Sequence, residues 1–138
     1  MSGGFTVLGP EEAYSPAVDR RLTLAEARAF LPEMLVAARQ VISVRADAAE
    51  LGADLANGSP SQLGGLPELK GLQARLHSAL DWFGEQGMQL RNWAPLLVDL
   101  PGEHEGQPVA WCWLEGEADL SWYHREDCGF AARRPVQD

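Results

Sequence analysis

The chain predicts an α+β fold, an antiparallel helical hairpin packed on a small three- or four-stranded antiparallel β-sheet. Three observations point there. Between residues 23 and 86 apolar residues return at steps of three and four, the spacing of one face of a helix. From Gly87 onward the pattern becomes short runs rich in aromatic and branched residues, "MQLRNW", "LLVDLP", "VAWCWL" and "LSWYHR", broken by Pro and Gly, as antiparallel strands are. The length, 138 residues, suits one folding unit with one core, since domains cluster at roughly 100–150 residues. The expected organisation is a flexible arm over residues 1–20 and one domain over 21–138. That domain divides into a helical hairpin (23–86), a β-meander (87–125) and a C-terminal tail (126–138).

The arm mixes Gly, Pro and acidic residues without apolar periodicity, too little apolar surface to offset the entropy of ordering. Thr23 followed by Glu26 forms a capping box and starts a helix at Leu24. Pro32 lies too far into that segment to be tolerated without a kink or a restart, so a short helix leads into a long one. In the long one Leu31, Leu35, Ala38, Ile42, Arg45 and Ala49 share a stripe that ends near Gly52, with Arg45 interrupting it. "ANGSPSQLGG", residues 56–65, is an exposed connection. Pro67 opens a second helix, along which Leu69, Leu72, Leu76, Leu80 and Phe83 repeat until the stop at Gly84 and Gly87. Two amphipathic helices joined in this way fold back on each other. His77, beside Leu76 and Leu80, is expected at the surface.

Composition excludes several functions. The longest apolar runs fall short of the ~20 residues of a membrane span. A net charge of −9 and a pI near 4.7 repel phosphate backbones and anionic lipid, which argues against nucleic-acid and membrane partners. Residues 1–9 lack the basic and apolar segments of a secretory signal, so the expected location is the cytoplasm. There the two cysteines, Cys112 and Cys128, are expected as free thiols.

Residues 109–130, "VAWCWLEGEADLSWYHREDCGF", hold three of the five tryptophans, both cysteines and one of the three histidines. The link "EGEAD" suits a five-residue hairpin loop, which sets Cys112 opposite Trp122 and Trp111 opposite Tyr123. Strand alternation then places Ala110, Cys112, Leu114, Leu120, Trp122 and His124 on one face, and Trp111, Trp113, Ser121 and Tyr123 on the other. Neither face is polar, so both are expected to be covered: one by the helices, the other by the arm, the tail or a second subunit.

Two chemistries compete at this hairpin. Cys112 and His124, roughly 7–8 Å apart as diagonal neighbours, share a ligand if a third group converges. Glu117 is the preferred third group, with Asp119, His104 and Cys128 also available. The ion would be zinc or iron. No Cys-x-x-Cys or His-x-x-x-His pair supports this, and the plain alternative makes Cys112 a small buried hydrophobe. A Cys–His nucleophile needs an electropositive, partly exposed setting, which an acidic, Trp-rich domain does not supply. Asp99, Glu117, His124 and Arg133 could gather around a small polar ligand, or Arg133 or Arg134 could pair an acid and fix the tail. Asp99, Trp111, Trp113, Tyr123 and Arg133 are the expected ligand or partner contacts. The aromatic concentration points to a core or a subunit contact rather than a base-stacking platform, which needs a basic groove.

Two stretches resemble a bacterial family catalogued as a domain of unknown function, number 2203. One is "LTLAEARAFLPEM", matching on Thr23, Leu24, Glu26, Ala27, Leu31 and Pro32. The other is the ordered series Val98, Asp99 and Pro101; Gly106; Cys112 and Trp113; Gly116 and Glu117; His124; Gly129 and Phe130; Arg133; and Pro135. The chain departs from the family pattern at Tyr123, where a Trp is usual, at Ala132, where a Gly is usual, and in "APLLVDLP", which lacks the usual opening Gly. The resemblance implies a helical hairpin with a small sheet and no particular activity.

With no catalytic signature in view, the expected function is a non-catalytic protein-interaction or assembly module without a cofactor. Its partner would be an unidentified protein or a second copy, a homo-oligomer whose simplest form is a dimer. The alternative is a metal- or small-ligand-binding protein, in one version an enzyme, centred on Cys112, Glu117 and His124.

Overall fold

The computed structural model of the chain describes residues 16–137. Among these, three α-helices, α1 (Leu24–Ala29), α2 (Leu31–Asn57) and α3 (Leu66–Glu85), precede five strands: β1 (Gln89–Trp93), β2 (Leu96–His104), β3 (Gln107–Leu114), β4 (Trp122–Arg125) and β5 (Arg134–Pro135). A 3-10 turn, Phe130–Ala132, joins the last two strands. The sheet is antiparallel in the order β1-β2-β3-β4-β5. The fold is therefore the α+β arrangement expected from the sequence, with five strands rather than three or four. The extra strand comes from the tail, whose Arg134 and Pro135 pair with Tyr123 and Trp122. A two-residue strand has no periodicity to betray it.

Thr23 caps α1 in a complete capping box with Glu26. Phe30 then breaks the helix and Pro32 sits in the first turn of α2, where its missing N–H has no rung to remove. The long helix does not stop near Gly52. It runs to Asn57, and Gly58 ends it in the left-handed conformation at φ 69°; one interior glycine costs a helix only about 1 kcal/mol against alanine. Its buried face is also rotated from the expected stripe, to Met34, Ala37, Ala38 and Val41. These residues meet Phe83, Val98, Leu100, Val109, Trp111 and Trp113 in one core.

The expected register of the last hairpin is observed, Cys112 opposite Trp122 and Trp111 opposite Tyr123. The core lies on the face that carries Trp111 and Trp113. Leu120 departs from the expected alternation: it precedes β4 and belongs to this core. Beyond the end of β1 the edge of β2 is taken by Leu22, which bridges Gly102 in parallel. Leu22 N donates to Pro101 O, and Glu103 N donates to Leu22 O. Trp111 lies across Gly102, so close that a Cβ there would stand 2.1 Å from the indole nitrogen, and Nε1 donates to Leu22 O at 2.8 Å. Residues 1–15 of the expected arm lie outside the described residues; of its last five, Val18 is buried and its N–H donates to Gln86 O. Among the described residues no helix is long and apolar enough to cross a membrane.

Candidate metal centre beneath the C-terminal tail

The second face of the sheet carries polar side chains at core depth. Asp99 stands opposite Cys112 across β2 and β3, and His124 stands opposite Ala110 across β3 and β4. All three therefore project from one face. Their exposures are 2%, 0% and 2%. One ligand atom from each lies within 4.8 Å of the others.

The hydrogen bonds define the chemistry. His124 Nδ1 lies 2.8 Å from the carbonyl oxygen of Arg125, which can only accept, so Nδ1 carries the proton. The other ring nitrogen, Nε2, then faces Asp99 Oδ2 at 3.1 Å. In a neutral imidazole that nitrogen holds a lone pair, and a lone pair and a carboxylate oxygen at this separation need something positive between them. Two species satisfy them, a second ring proton or a metal ion. Asp99 Oδ2 also accepts from Arg91 Nε at 3.0 Å. The irregularity between Leu90 and Asn92 frees Arg91 from the alternation of β1, as a β-bulge does. Asp99 Oδ1 is buried without a hydrogen-bond partner, a deficit of about 1–3 kcal/mol if nothing fills it.

Burial pushes the Cys112 thiol up to about 12, with the negative charge of Asp99 adding to the rise and Arg133 opposing it. A thiol so placed is no nucleophile on its own. Its sulfur is soft, the imidazole borderline and the carboxylate hard, a mixed set that suits zinc or ferrous iron.

The tail closes this face. Arg133 Nη2 reaches both oxygens of Glu117, at 2.9 and 2.6 Å. Its guanidinium carbon stacks 4.6 Å from the Trp122 ring centroid and 4.9 Å from that of Phe130. Arg133 Nε is buried without a partner. Glu117, expected as the third ligand, is thus occupied by Arg133 and by the N–H of Leu114, and Asp99 takes its place beside Cys112 and His124. His104 packs edge-on against Trp111 and tilted against Tyr123, on the helix-facing side. Cys128 and Asp119 lie outside the cluster; Asp119 faces Arg28. Both thiols are free.

Of the expected contact residues, Trp111 and Trp113 are core side chains, 0% and 1% exposed, with their indole N–H groups donated to Leu22 O and Glu117 O. Tyr123 is half-buried beside Trp111. Arg91 is the participant sequence reasoning missed. The signal available for Asp99 was a lone carboxylate in the middle of the apolar run "LLVDLP", a polar group that burial obliges to find partners.

The model of a family described as "Uncharacterized conserved protein (DUF2203)" matches residues 20–136. The chain belongs to this family. Of the residues through which it resembles DUF2203 in sequence, Asp99, Cys112, Glu117, His124, Phe130 and Arg133 are gathered on the tail-facing side, whereas Ala27, Val98 and Trp113 belong to the helix-facing core. No curated protein and no solved structure matches this DUF2203 chain.

Proposed function

We propose that the protein binds one divalent transition-metal ion, zinc by preference, through Asp99, Cys112 and His124. The carrying observation is the paired set of contacts on His124: Nδ1 committed to a backbone carbonyl, Nε2 turned to a carboxylate oxygen 3.1 Å away. Metal-ligating histidines are held in this way, the outer nitrogen donating to a carbonyl so that the inner one presents its lone pair. A plain ion pair between His124 and Asp99 would account for the short contact. It would leave the buried Asp99 carboxylate and the Cys112 sulfur only a weak thiol–carboxylate contact with each other.

The dimensions support an ion with small adjustments. Tetrahedral zinc, with bonds of about 2.0–2.3 Å, sets its ligand atoms roughly 3.3–3.6 Å apart, so ligand atoms that lie within 4.8 Å of one another have to close in by about an ångström at most. Arg133 Nε, buried and unpartnered, is a donor available to a solvent or anionic ligand that completes the shell. Arg91 beside Asp99 is the outer support of the carboxylate.

The test is elemental analysis of the full chain after growth in zinc, then cobalt substitution. One equivalent of metal is expected. The cobalt form should show a thiolate-to-metal charge-transfer band that disappears in Cys112→Ser, with metal content lost in His124→Gln and Asp99→Asn. Full-length protein that retains no stoichiometric metal and shows no such band would reduce the cluster to an ion pair.

The interaction-module reading draws no support from the aromatic hairpin, because this chain covers both faces of it. Its support lies on the helices.

A further inference from the structure

The outer side of the helical hairpin carries a groove of about 1080 Å³ between α2 and α3. Pro32, Val36, Ala37 and Val44 form one wall and Ala79 and Trp82 the other. Val36 is 52% exposed, although it is a large apolar residue that lines the groove. Three charged residues rim the same groove, Glu33, Arg39 and Arg75. All are exposed, and none makes an ion pair among the described residues. We propose that this groove is a self-association face on which a second copy of the chain packs about a two-fold axis, the two helical hairpins forming a four-helix bundle.

The charges argue for a second copy rather than for an unrelated partner. Contacts across a two-fold axis are reciprocal, so such a face must complement itself. Glu33 lies at the α2 N-terminal end of the groove. Because α3 runs antiparallel to α2, Arg75, at the start of the α3 wall, lies at the far end. From Glu33 to Val44 the groove runs roughly 16 Å at 1.5 Å per residue. A two-fold axis through its middle, midway between the two walls, brings the Glu33 of each protomer to the Arg75 of the other and sets the Val36 of each against Ser78 and Ala79 of the other. The rim holds two arginines against one glutamate, a local balance of +1 in a chain of net charge −9. Two copies therefore meet here with less repulsion than the acidic surface elsewhere imposes. Small residues at Ala37, Ser43, Ser78 and Ala79 let the helices approach closely.

Size sets the strength. A strip roughly 16 Å long and two helices wide, at about 10 Å each, offers a few hundred Å² per protomer. Standard interfaces bury about 800 Å² per partner, so the dimer is a weak, reversible one, no tighter than micromolar. This inference uses no part of the metal centre.

Sedimentation equilibrium of the full chain, from about 5 to about 500 µM, spans that affinity range. The weight-average mass should rise with concentration from 15.1 kDa toward twice that value. Val36→Glu buries a carboxylate against the apolar α3 wall of the other copy and should weaken association at least about tenfold. Glu33→Arg and Arg75→Glu should each weaken it by a similar factor, and the double variant Glu33→Arg/Arg75→Glu should recover to within about threefold of the parent, because the reversed charges again meet their opposites. All these side chains are exposed, and unchanged thermal melts would certify the fold. A mass fixed at 15.1 kDa across the range overturns the proposal, whether another protein or residues 1–15 of the chain then fill the groove. So does a dimer indifferent to Val36→Glu, or a double charge reversal no better than its singles.

Discussion

At their centres the two faces of the sheet are buried to the same depth and held by opposite means. Toward the helices stand Val98, Leu100, Val109, Trp111 and Trp113, and the polar needs of these five side chains amount to two indole N–H groups, each given to a backbone carbonyl. Toward the tail stand Asp99, Cys112 and His124, no more exposed than the tryptophans, yet each offers a metal-ligating atom. Asp99 sits between Val98 and Leu100 in the chain and still faces the other way, because strand alternation reverses at every residue. The helix-facing side gains free energy from every apolar atom it removes from water. The tail-facing side exchanges hydration for mutual pairing and gains little net stability. A face that contributes so little to stability and is nonetheless dense in donor atoms is where a ligand's binding energy belongs.

Substitutions should separate the two sides sharply. The largest effect is expected from Trp111→Ala, which empties the centre of the helix-facing core and removes one of the two hydrogen bonds that Leu22 O accepts. Aromatic-to-alanine changes in cores cost about 3–5 kcal/mol, a large part of the ~5–15 kcal/mol of a typical domain. Urea denaturation should show a midpoint shifted far down, or no cooperative transition at all. On the other side, with metal removed by chelation, His124→Leu alone leaves the buried Asp99 carboxylate with Arg91 as its one charged partner and should cost up to about 3–5 kcal/mol. The double variant Asp99→Leu/His124→Leu should return to within about 1–2 kcal/mol of the parent, while the zinc content of the unchelated protein falls to zero. A double variant as unstable as Trp111→Ala would mean that the two faces do not differ in this way.

Arg133→Gln acts at the edge of the polar side. It removes the charge held by Glu117 and the stacking between Trp122 and Phe130. The expected cost is about 1–3 kcal/mol, most of it local to β5. Amide exchange at Val136, whose N–H donates to Ser121 O, should accelerate well beyond that at Leu100 in the central strand. Equal acceleration at both would show that the tail unfolds only with the whole domain.

The polar face was partly legible in the sequence. Cys112, His124 and Arg133 could be singled out because such residues are conspicuous amid tryptophans, and the five-residue loop register set Cys112 against Trp122 before any coordinates. Asp99 was visible as a possible ligand contact, but its role as third member of the cluster depended on the β2–β3 register, which the Glu105-Gly106 turn with two positive φ values determines. Glu117 was the natural choice by proximity in sequence. What removed it was Arg133, sixteen residues away, reaching back through a tail too short to show periodicity. Arg91 was invisible because a bulge has no sequence signature strong enough to reverse the expected alternation. The helices were the most legible part, since capping and 3.6-residue periodicity are local. The end of α2 and its rotation were missed, the first because Gly52 reads as a stop yet is tolerated inside a long helix, the second because a helix that must meet both a sheet and another helix buries more than one stripe.

Arg45 gives the smallest and most conditional prediction, because it is the polar exception on the helix-facing side. Its guanidinium spans from α2 to the sheet, giving two hydrogen bonds to Glu115 at 2.9 and 2.8 Å and a third to Trp93 O at 2.6 Å. Glu115 also accepts the N–H of Leu96. Arg45 holds the Glu115 carboxyl below the usual carboxylate range, chiefly through their side-chain hydrogen bonds. A carboxyl whose folded pKa is depressed contributes stability that is present above its unfolded value, about 4.3 for glutamate, and lost as the pH falls through the folded value. Arg45→Met keeps the apolar stem and removes the charge, so near neutral pH it should cost about 1–2 kcal/mol. The gap between variant and parent should shrink steadily once the pH drops below the unfolded glutamate value, as Glu115 takes up its proton in both. Urea midpoints measured at about pH 7 and about pH 3 would reveal this. A gap of the same size at both would assign the contribution of Arg45 to the packing of its stem and its bond to Trp93, and the helix-facing side would then owe nothing to charge.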